Sequence, residues 1–238
     1  MIFSKSFFDI QLQFAFKVAR LLGLPLEKAL LDYTNLYIRF GLGREFDHRH
    51  LVWREYPTGL ANAVDAQEWT YRFVLKRPHN VIFPSVEANF GCFSYTDGHA
   101  SIRLHFQNSE TKERSPLSKD CLSDRLSELR SLFEQVKGRH PATTRVFGTS
   151  WLYNLPAYRR LFPPSYLATA KIAARRFRNM SLWGQFLDRN GVVRPRMATT
   201  FQERLSQMRC LGDVDQCFSF QPLMLEAPVQ HFYDFYDL

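Results

Sequence analysis

The chain has 238 residues, a formal charge of +8 at neutral pH and a hydrophobic fraction of 45%. This composition excludes an intrinsically disordered chain, and the 22 Phe and 10 Tyr indicate a core that is rich in aromatic rings. The positive charge would attract the phosphates of a nucleic acid, a membrane surface or a cofactor, and does not choose among them.

Two amphipathic helices are predicted at the N-terminus. Apolar residues recur every three or four positions over 4–22, and Gly23 ends that pattern. Pro25 suits the first turn of a second helix, whose apolar face continues until Gly41. The segment 1–43 is therefore predicted to be a helical hairpin.

The next segment, 44–80, shows no sustained period and is predicted to be irregular apart from one candidate strand, 69–75. Its polar run contains His48 and His50 beside Asp47. Two-residue spacing brings both histidines to one side only on a strand, and a third ligand is not evident. A solvated loop is therefore favoured over a metal site.

The segment 81–238 is predicted to form a sheet core. Asp97-Gly98 lies between two β-like runs and predicts a two-residue hairpin turn that would place Phe93 opposite Ile102. The other predicted elements are a helix over 118–136, a buried strand over 143–152, a short helix over 156–162, a strand over 169–177, a helix over 200–210, and strands over 217–225 and 231–236.

The overall expectation is a single domain over 1–238 with a mixed α/β (α+β) fold, since no repeat, low-complexity tract or linker divides the sequence. No run approaches the roughly 20 apolar residues that span a bilayer, and the start has no basic region followed by an unbroken apolar run. A cytoplasmic protein without a membrane span is expected. The four cysteines form no Cys-x-x-Cys pair, which favours buried, reduced thiols and no metal cofactor.

Part of the sheet core resembles a known family. The segments that carry the resemblance are 102–106, 116–118, 148–152 and 161–167. They are similar to the C-terminal domain of a poorly characterised group of bacterial GNAT-like acyltransferases, and the order of the predicted elements is similar to the GNAT fold. The resemblance implies a GNAT-like mixed central sheet flanked by helices, with the helical hairpin at its N-terminus.

The same resemblance implies an N-acyltransferase that moves an acyl group from acyl-coenzyme A to an amine. In that family the coenzyme lies in a splay between two parallel central strands. Its pantetheine arm would pair with the strand that ends near Phe106 and Gln107, and its pyrophosphate would lie at the start of the next helix, near Ser118 and Lys119. Asn154 opens an Asn-x-x-Ala match, in which the family's Asn contacts pantetheine. A helix N-terminus suits an anion because unpaired N–H groups and the helix dipole converge there.

Acyl transfer to an amine requires a base for the amine and an acid for the leaving thiolate. His105 is the first candidate base, because it lies on the strand that would border the coenzyme, and Glu87 is the second. Tyr153 and Tyr158 are candidate acids. Each has a structural alternative: a histidine packed on a neighbouring ring, a solvated carboxylate, and tyrosines with buried rings.

Two other functions are consistent with the sequence. The segment 107–116 contains no glycine, whereas GNAT enzymes carry a glycine-rich loop there whose amides wrap the pyrophosphate. This favours a non-catalytic GNAT-like module that binds a protein or a small ligand. The run 171–178 supplies basic residues and the ring of Phe177 for nucleic acid, but alternation on a strand would divide the charges between two faces, which favours a solvated edge strand.

Overall fold

The computed structural model describes residues 3–43, 46–77, 88–98, 100–108 and 115–238. The helices of this part are α1 (Lys5–Leu22), α2 (Leu26–Tyr33), α3 (Leu36–Arg39), α4 (Leu51–Asn62), α5 (Ala66–Leu75), α6 (Leu122–Arg139), α7 (Pro156–Arg159), α8 (Pro164–Leu167), α9 (Met180–Trp183), α10 (Pro195–Gln207) and α11 (Gln230–Phe235). The strands are β1 (Ala88–Phe90), β2 (Phe93–Asp97), β3 (Ser101–Phe106), β4 (Arg145–Ser150), β5 (Lys171–Ile172) and β6 (Leu223–Pro228). The prediction of a mixed α/β (α+β) fold is confirmed.

Contacts divide the chain into two units. Unit 1 consists of Met1–Ile82 and Arg175–Phe220, and unit 2 consists of Phe83–Ala174 and Gln221–Leu238. Unit 1 contains α1 to α5, α9 and α10, and unit 2 contains β1 to β6, α6 to α8 and α11. Each unit has its own hydrophobic core.

The core of unit 1 is built around α1 and is rich in aromatic rings, as the composition indicates. Phe14 is fully buried at the centre of this core. Its ring centroid lies 5.2–6.3 Å from those of Tyr33, Phe177, Trp183, Phe201 and Phe218.

The two predicted N-terminal helices are present, but the second is shorter than the sequence indicates. α1 is followed by Gly23 in the left-handed region, at a φ of +61°. α2 ends at Tyr33 because Thr34 is extended and its hydroxyl replaces the helical hydrogen bonds. The Thr34 Oγ1 donates to the Leu30 carbonyl at 2.5 Å and accepts from the Leu36 N–H at 3.3 Å.

The prediction of an irregular segment over 44–80 with a strand at 69–75 was wrong for the described residues. α4 and α5 occupy most of it. The Asp65 carboxylate caps α5 by accepting two first-turn N–H groups at 2.9 and 3.0 Å. Burial of Phe73 and Val74 on the opposite end of the helix outweighs the β propensity of the aromatic and branched residues.

The sheet of unit 2 has the order β1-β2-β3-β4-β6-β5. β3 and β4 are parallel, and the other neighbouring pairs are antiparallel, so the sheet is mixed. The predicted helix over 118–136, strand over 143–152 and short helix over 156–162 correspond to α6, β4 and α7. The predicted helix over 200–210 corresponds to α10, which begins earlier, at Pro195.

The β2–β3 hairpin is present with a different register from the predicted one. Phe93 pairs with Phe106 instead of Ile102, and Asp97 pairs with Ile102. The connection is longer than two residues because the Gly98 N–H donates to the carbonyl of Ser101 at 2.7 Å. The register shift is an even number of residues, so the predicted faces of the strands are kept.

The prediction of a strand over 169–177 was wrong except for β5, Lys171–Ile172. Arg175 has a left-handed φ of +48°, and a 3₁₀ turn follows at Arg176–Arg178. The Arg176 guanidinium pairs with the Asp215 carboxylate, with Nη2 2.5 Å from Oδ2. The charges invoked for nucleic acid therefore do not lie on a common strand.

The two C-terminal strand predictions also need correction. A strand was predicted over 217–225, but β6 begins only at Leu223. The start of the predicted range belongs instead to a 3₁₀ turn at Asp215–Cys217. The segment 231–236 was predicted as a strand and is largely helical, as α11. Its rings of Phe232 and Tyr236 are buried four positions apart, a spacing that one helix face provides.

Candidate functional site

The candidate site in unit 2 is a gap between two adjacent parallel strands. The β3–β4 ladder ends where Leu104 lies opposite Gly148, although both strands continue for two more residues. The last two residues of each strand therefore lie beyond the register of the ladder. We call this gap the strand opening, and its residues are His105, Phe106, Thr149 and Ser150.

The outer edges of the strand opening are held by the sheet. Phe106 pairs with Phe93 of β2. Ser150 pairs with Leu223 of β6. Because both strand ends have ordered outer neighbours, the opening is a preformed feature of the sheet and its backbone groups have fixed directions.

Gly148, at the end of the ladder, lies against two buried tyrosine hydroxyls. A Cβ atom at this position would overlap both Tyr153 Oη and Tyr166 Oη. These two hydroxyls are hydrogen-bonded to each other at 2.9 Å. Sequence reasoning missed Gly148 and Tyr166 as site residues, although a glycine inside a β-like run is a known signal of close approach.

The candidate acids Tyr153 and Tyr158 are each only 2% exposed. Burial is the largest cause that raises the pKa of both phenols well above the ordinary value. Both hydroxyls therefore stay protonated at neutral pH, and their rings are part of the unit 2 core.

His105 lies on β3 within the strand opening and is half-buried. Its Nε2 is 3.1 Å from Thr96 Oγ1 of β2. The cross-strand pairing of His105 with Ser94 fixes the backbone on one side. The sequence predicts that the imidazole points away from the apolar face of β3. Leu104 on the apolar face is buried, whereas Arg103, which alternation places on the same face as His105, is exposed.

The end of β3 is anchored at Phe106 and Gln107. The Phe106 ring contacts Phe93 and Tyr158, with centroids 5.3 and 5.4 Å apart. The Gln107 N–H donates to the Cys92 carbonyl at 2.9 Å, while its side chain is exposed. Phe106 is therefore a packed residue, and its backbone, not its ring, borders the strand opening.

The start of α6 is preceded by one 3₁₀ turn, Lys119–Cys121, with Ser118 before it. Lys119 is exposed. Arg160 from the α7 region reaches this point, where Nη2 donates to the carbonyls of Leu117 at 3.0 Å and Ser118 at 2.9 Å. Lys119 and Arg160 therefore bring two cations to the positive end of the helix dipole, where Asp120 and Asp124 bring two carboxylates, and the sequence offered no signal for the contribution of Arg160.

Arg160 also lines a surface groove of about 500 Å³ in unit 2. Arg159 and Asn154 contribute polar groups to its lining, and Phe162 and Phe235 contribute apolar surface. The groove therefore combines two cations with aromatic rings.

Asn154 has both amide protons engaged within the protein. Its Nδ2 donates to the carbonyls of Trp151 at 2.7 Å and Gln221 at 2.8 Å. A ligand would therefore meet the Oδ1 acceptor of Asn154 and not its donor.

Glu87, the second candidate base, lies outside the described residues. In unit 1, His50 caps α4, since its Nδ1 accepts the Val52 N–H at 3.3 Å. Among the residues that the structure describes, no group of three or more His, Cys, Asp or Glu could hold a metal ion. Within the same residues, every helix is too short or too polar to cross a bilayer.

No protein-family model matches the chain. No curated protein sequence and no solved structure matches it either.

Proposed function

We propose that the chain is a GNAT-like N-acyltransferase that uses acyl-coenzyme A as donor and an amine as acceptor. The observation that carries the proposal is the strand opening, in which the only parallel pair among the described strands stops pairing two residues before either strand ends. The GNAT resemblance implies a splay of this kind between two parallel central strands.

The backbone of β3 supplies the first part of the proposed binding site. Amides of the pantetheine arm can pair with strand N–H and C=O groups that the sheet leaves open, as an added strand would. The backbone groups of Phe106 point to the β4 side, because the next N–H along the strand, that of Gln107, donates to Cys92 on the β2 side and the direction alternates from residue to residue.

The start of α6 supplies the second part. A pyrophosphate placed near Ser118 would meet the positive end of an 18-residue helix together with the charges of Lys119 and Arg160. These cations support anion binding at a position where the sequence carries no glycine-rich loop.

His105 is proposed as the base. The amine nitrogen attacks the thioester carbonyl, the C–N bond forms as the C–S bond breaks, and the amine proton passes to the imidazole while the sulfur leaves as a thiolate. Imidazole is the side chain that most often acts as a general base in such proton transfers. Tyr153 and Tyr158 stay protonated, and they pack against Gly148 and Phe106 respectively.

The first test is a thermal-shift titration with acetyl- and long-chain acyl-coenzyme A. We expect a saturable rise in the melting temperature, because a ligand that binds the folded state stabilises it. Lys119→Ala should weaken this binding several-fold. Arg139→Ala is the matched control, since it removes an exposed cation from the other end of α6. Absence of a shift with every acyl-coenzyme A would contradict the proposal.

A non-catalytic binding module is the second candidate, and the engaged amide of Asn154 and the burial of both candidate acids favour it. Release of free thiol from acetyl-coenzyme A in the presence of a panel of amines separates the two functions. Transfer that is lost in His105→Ala, with coenzyme binding retained, supports the enzyme. Binding without thiol release by the wild type supports the module.

A further inference from the structure

The surface groove of unit 2 offers two arginines to an anion. Arg159 is exposed, and its side chain forms no ion pair with the described residues. Arg160 makes both of its side-chain hydrogen bonds through Nη2, which leaves Nη1 for a ligand. None of the described residues that line the groove is Asp or Glu, and the Asp234 carboxylate beside it in sequence accepts from Gln230 Nε2 at 2.7 Å. A guanidinium in this setting selects a carboxylate, which it can bind through two parallel hydrogen bonds.

A hydrogen-bond acceptor lies in the same groove. The Nδ2 of Asn154 is engaged by two backbone carbonyls, whereas its Oδ1 accepts no hydrogen bond from the described residues. This oxygen is not among the buried unpaired atoms of that part of the chain, and Asn154 as a whole is half-buried. A ligand in the groove can therefore reach Asn154 Oδ1 with an N–H or O–H donor.

Apolar side chains form the rest of the described lining. The Phe235 ring is 38% exposed, and Leu167 is half-buried beside it in the groove. An apolar group of a ligand would remove part of this surface from water, which is favourable. The groove volume of about 500 Å³ lies within the range of small-molecule sites.

We infer that this groove binds a free apolar α-amino acid, such as phenylalanine. The carboxylate accepts from the guanidinium groups of Arg159 and Arg160, the ammonium donates to Asn154 Oδ1, and the side chain packs against Phe235. A small molecule that carries an anion, a donor and an apolar group matches all three features of the groove. This binding does not depend on the proposed acyl transfer.

The ligand's three groups are tested by isothermal titration calorimetry of the wild type. We expect saturable binding of L-phenylalanine. Phenylalanine amide lacks the carboxylate, 3-phenylpropanoate lacks the ammonium, and glycine lacks the apolar side chain. Each analogue should bind about tenfold more weakly or worse, because each leaves one feature of the groove without its partner.

The groove itself is tested with variants of exposed residues. Arg159→Gln should weaken the binding of L-phenylalanine about tenfold, because it removes charge-assisted hydrogen bonds. Phe235→Ala should weaken it several-fold through lost apolar contact. Arg139→Gln is the matched control, since it removes an exposed cation of unit 2 that does not line the groove, and it should bind as the wild type does.

Absence of saturable binding by the wild type would overturn the inference, as would equal binding of phenylalanine and its amide. Unchanged affinity in Arg159→Gln would place the ligand elsewhere and overturn it as well. N-Acetyl-L-phenylalanine has the carboxylate and one N–H of a peptide's last residue. If it binds more tightly than L-phenylalanine, the groove accepts a peptide end and the assignment to a free amino acid is wrong.

Discussion

Replacement of Glu128 by alanine is expected to lower the free energy of unfolding by about 3–5 kcal/mol, because it breaks a buried ion pair by removing one partner. Glu128 Oε1 lies 2.6 Å from Arg125 Nη2, and the two side chains are 17% and 4% exposed. Glu128 Oε2 also accepts the Cys92 N–H at 3.1 Å, in the tight turn between β1 and β2. The variant would remove both interactions at once.

The matched control for this variant is Glu134→Ala. Glu134 is on the same helix and pairs with Arg130 at 3.2 Å, but both side chains are about half exposed. Its removal should cost no more than about 1 kcal/mol, because exposed pairs contribute little. Urea unfolding measures both. Equal losses in the two variants would contradict the argument that the Glu128 pair stabilises unit 2.

The Arg125→Met/Glu128→Leu double variant adds a second check on the same pair. Replacing both charges by apolar side chains of similar size removes the pair without leaving one ion alone, and such replacements are often neutral. The double variant is therefore expected to be more stable than Glu128→Ala.

Replacement of Phe14 by alanine is expected to lower the free energy of unfolding by about 3–5 kcal/mol as well. Phe14 is fully buried among five aromatic rings, so the lost contacts and the resulting cavity both contribute. Phe16→Ala is the control, since Phe16 lies on the same helix and is 40% exposed. Guanidinium unfolding should show a clearly smaller loss for Phe16→Ala, and similar losses would contradict the packing described for unit 1.

Long amphipathic elements could be predicted from the sequence because their period is set by one buried face. α1 and α6 follow this rule. Short aromatic segments could not be predicted in this way. The segments 69–75 and 231–236 have a β-like composition, yet they form helices. In the first, the Asp65 cap and tertiary burial decide the structure.

The β2–β3 hairpin shows that a turn motif predicts the position of a turn but not the register of the strands it joins. Asp97-Gly98 correctly predicts where β2 ends, but the register depends on how many residues the connection contains, and that is set by the Gly98 to Ser101 hydrogen bond. The two-residue turn of the sheet is instead at Gly91, which has a φ of +56°.

The candidate site was predicted only in part. The sequence placed His105 on a strand of the central sheet and Ser118 before a long helix, since both depend on local patterns. It could not predict that Arg160 reaches the carbonyl of Ser118, because that contact spans 42 positions and depends on the packed fold. The end of the ladder at Gly148 is equally a property of the assembled sheet.

The central claim, that the strand opening and the start of α6 bind acyl-coenzyme A, is tested most directly by NMR of the ¹⁵N-labelled chain during titration with coenzyme A. We predict that the largest amide shift changes occur in the strand opening and at residues 118–121, with little change in unit 1. Shift changes confined to unit 1, or none at saturating coenzyme, would contradict the claim.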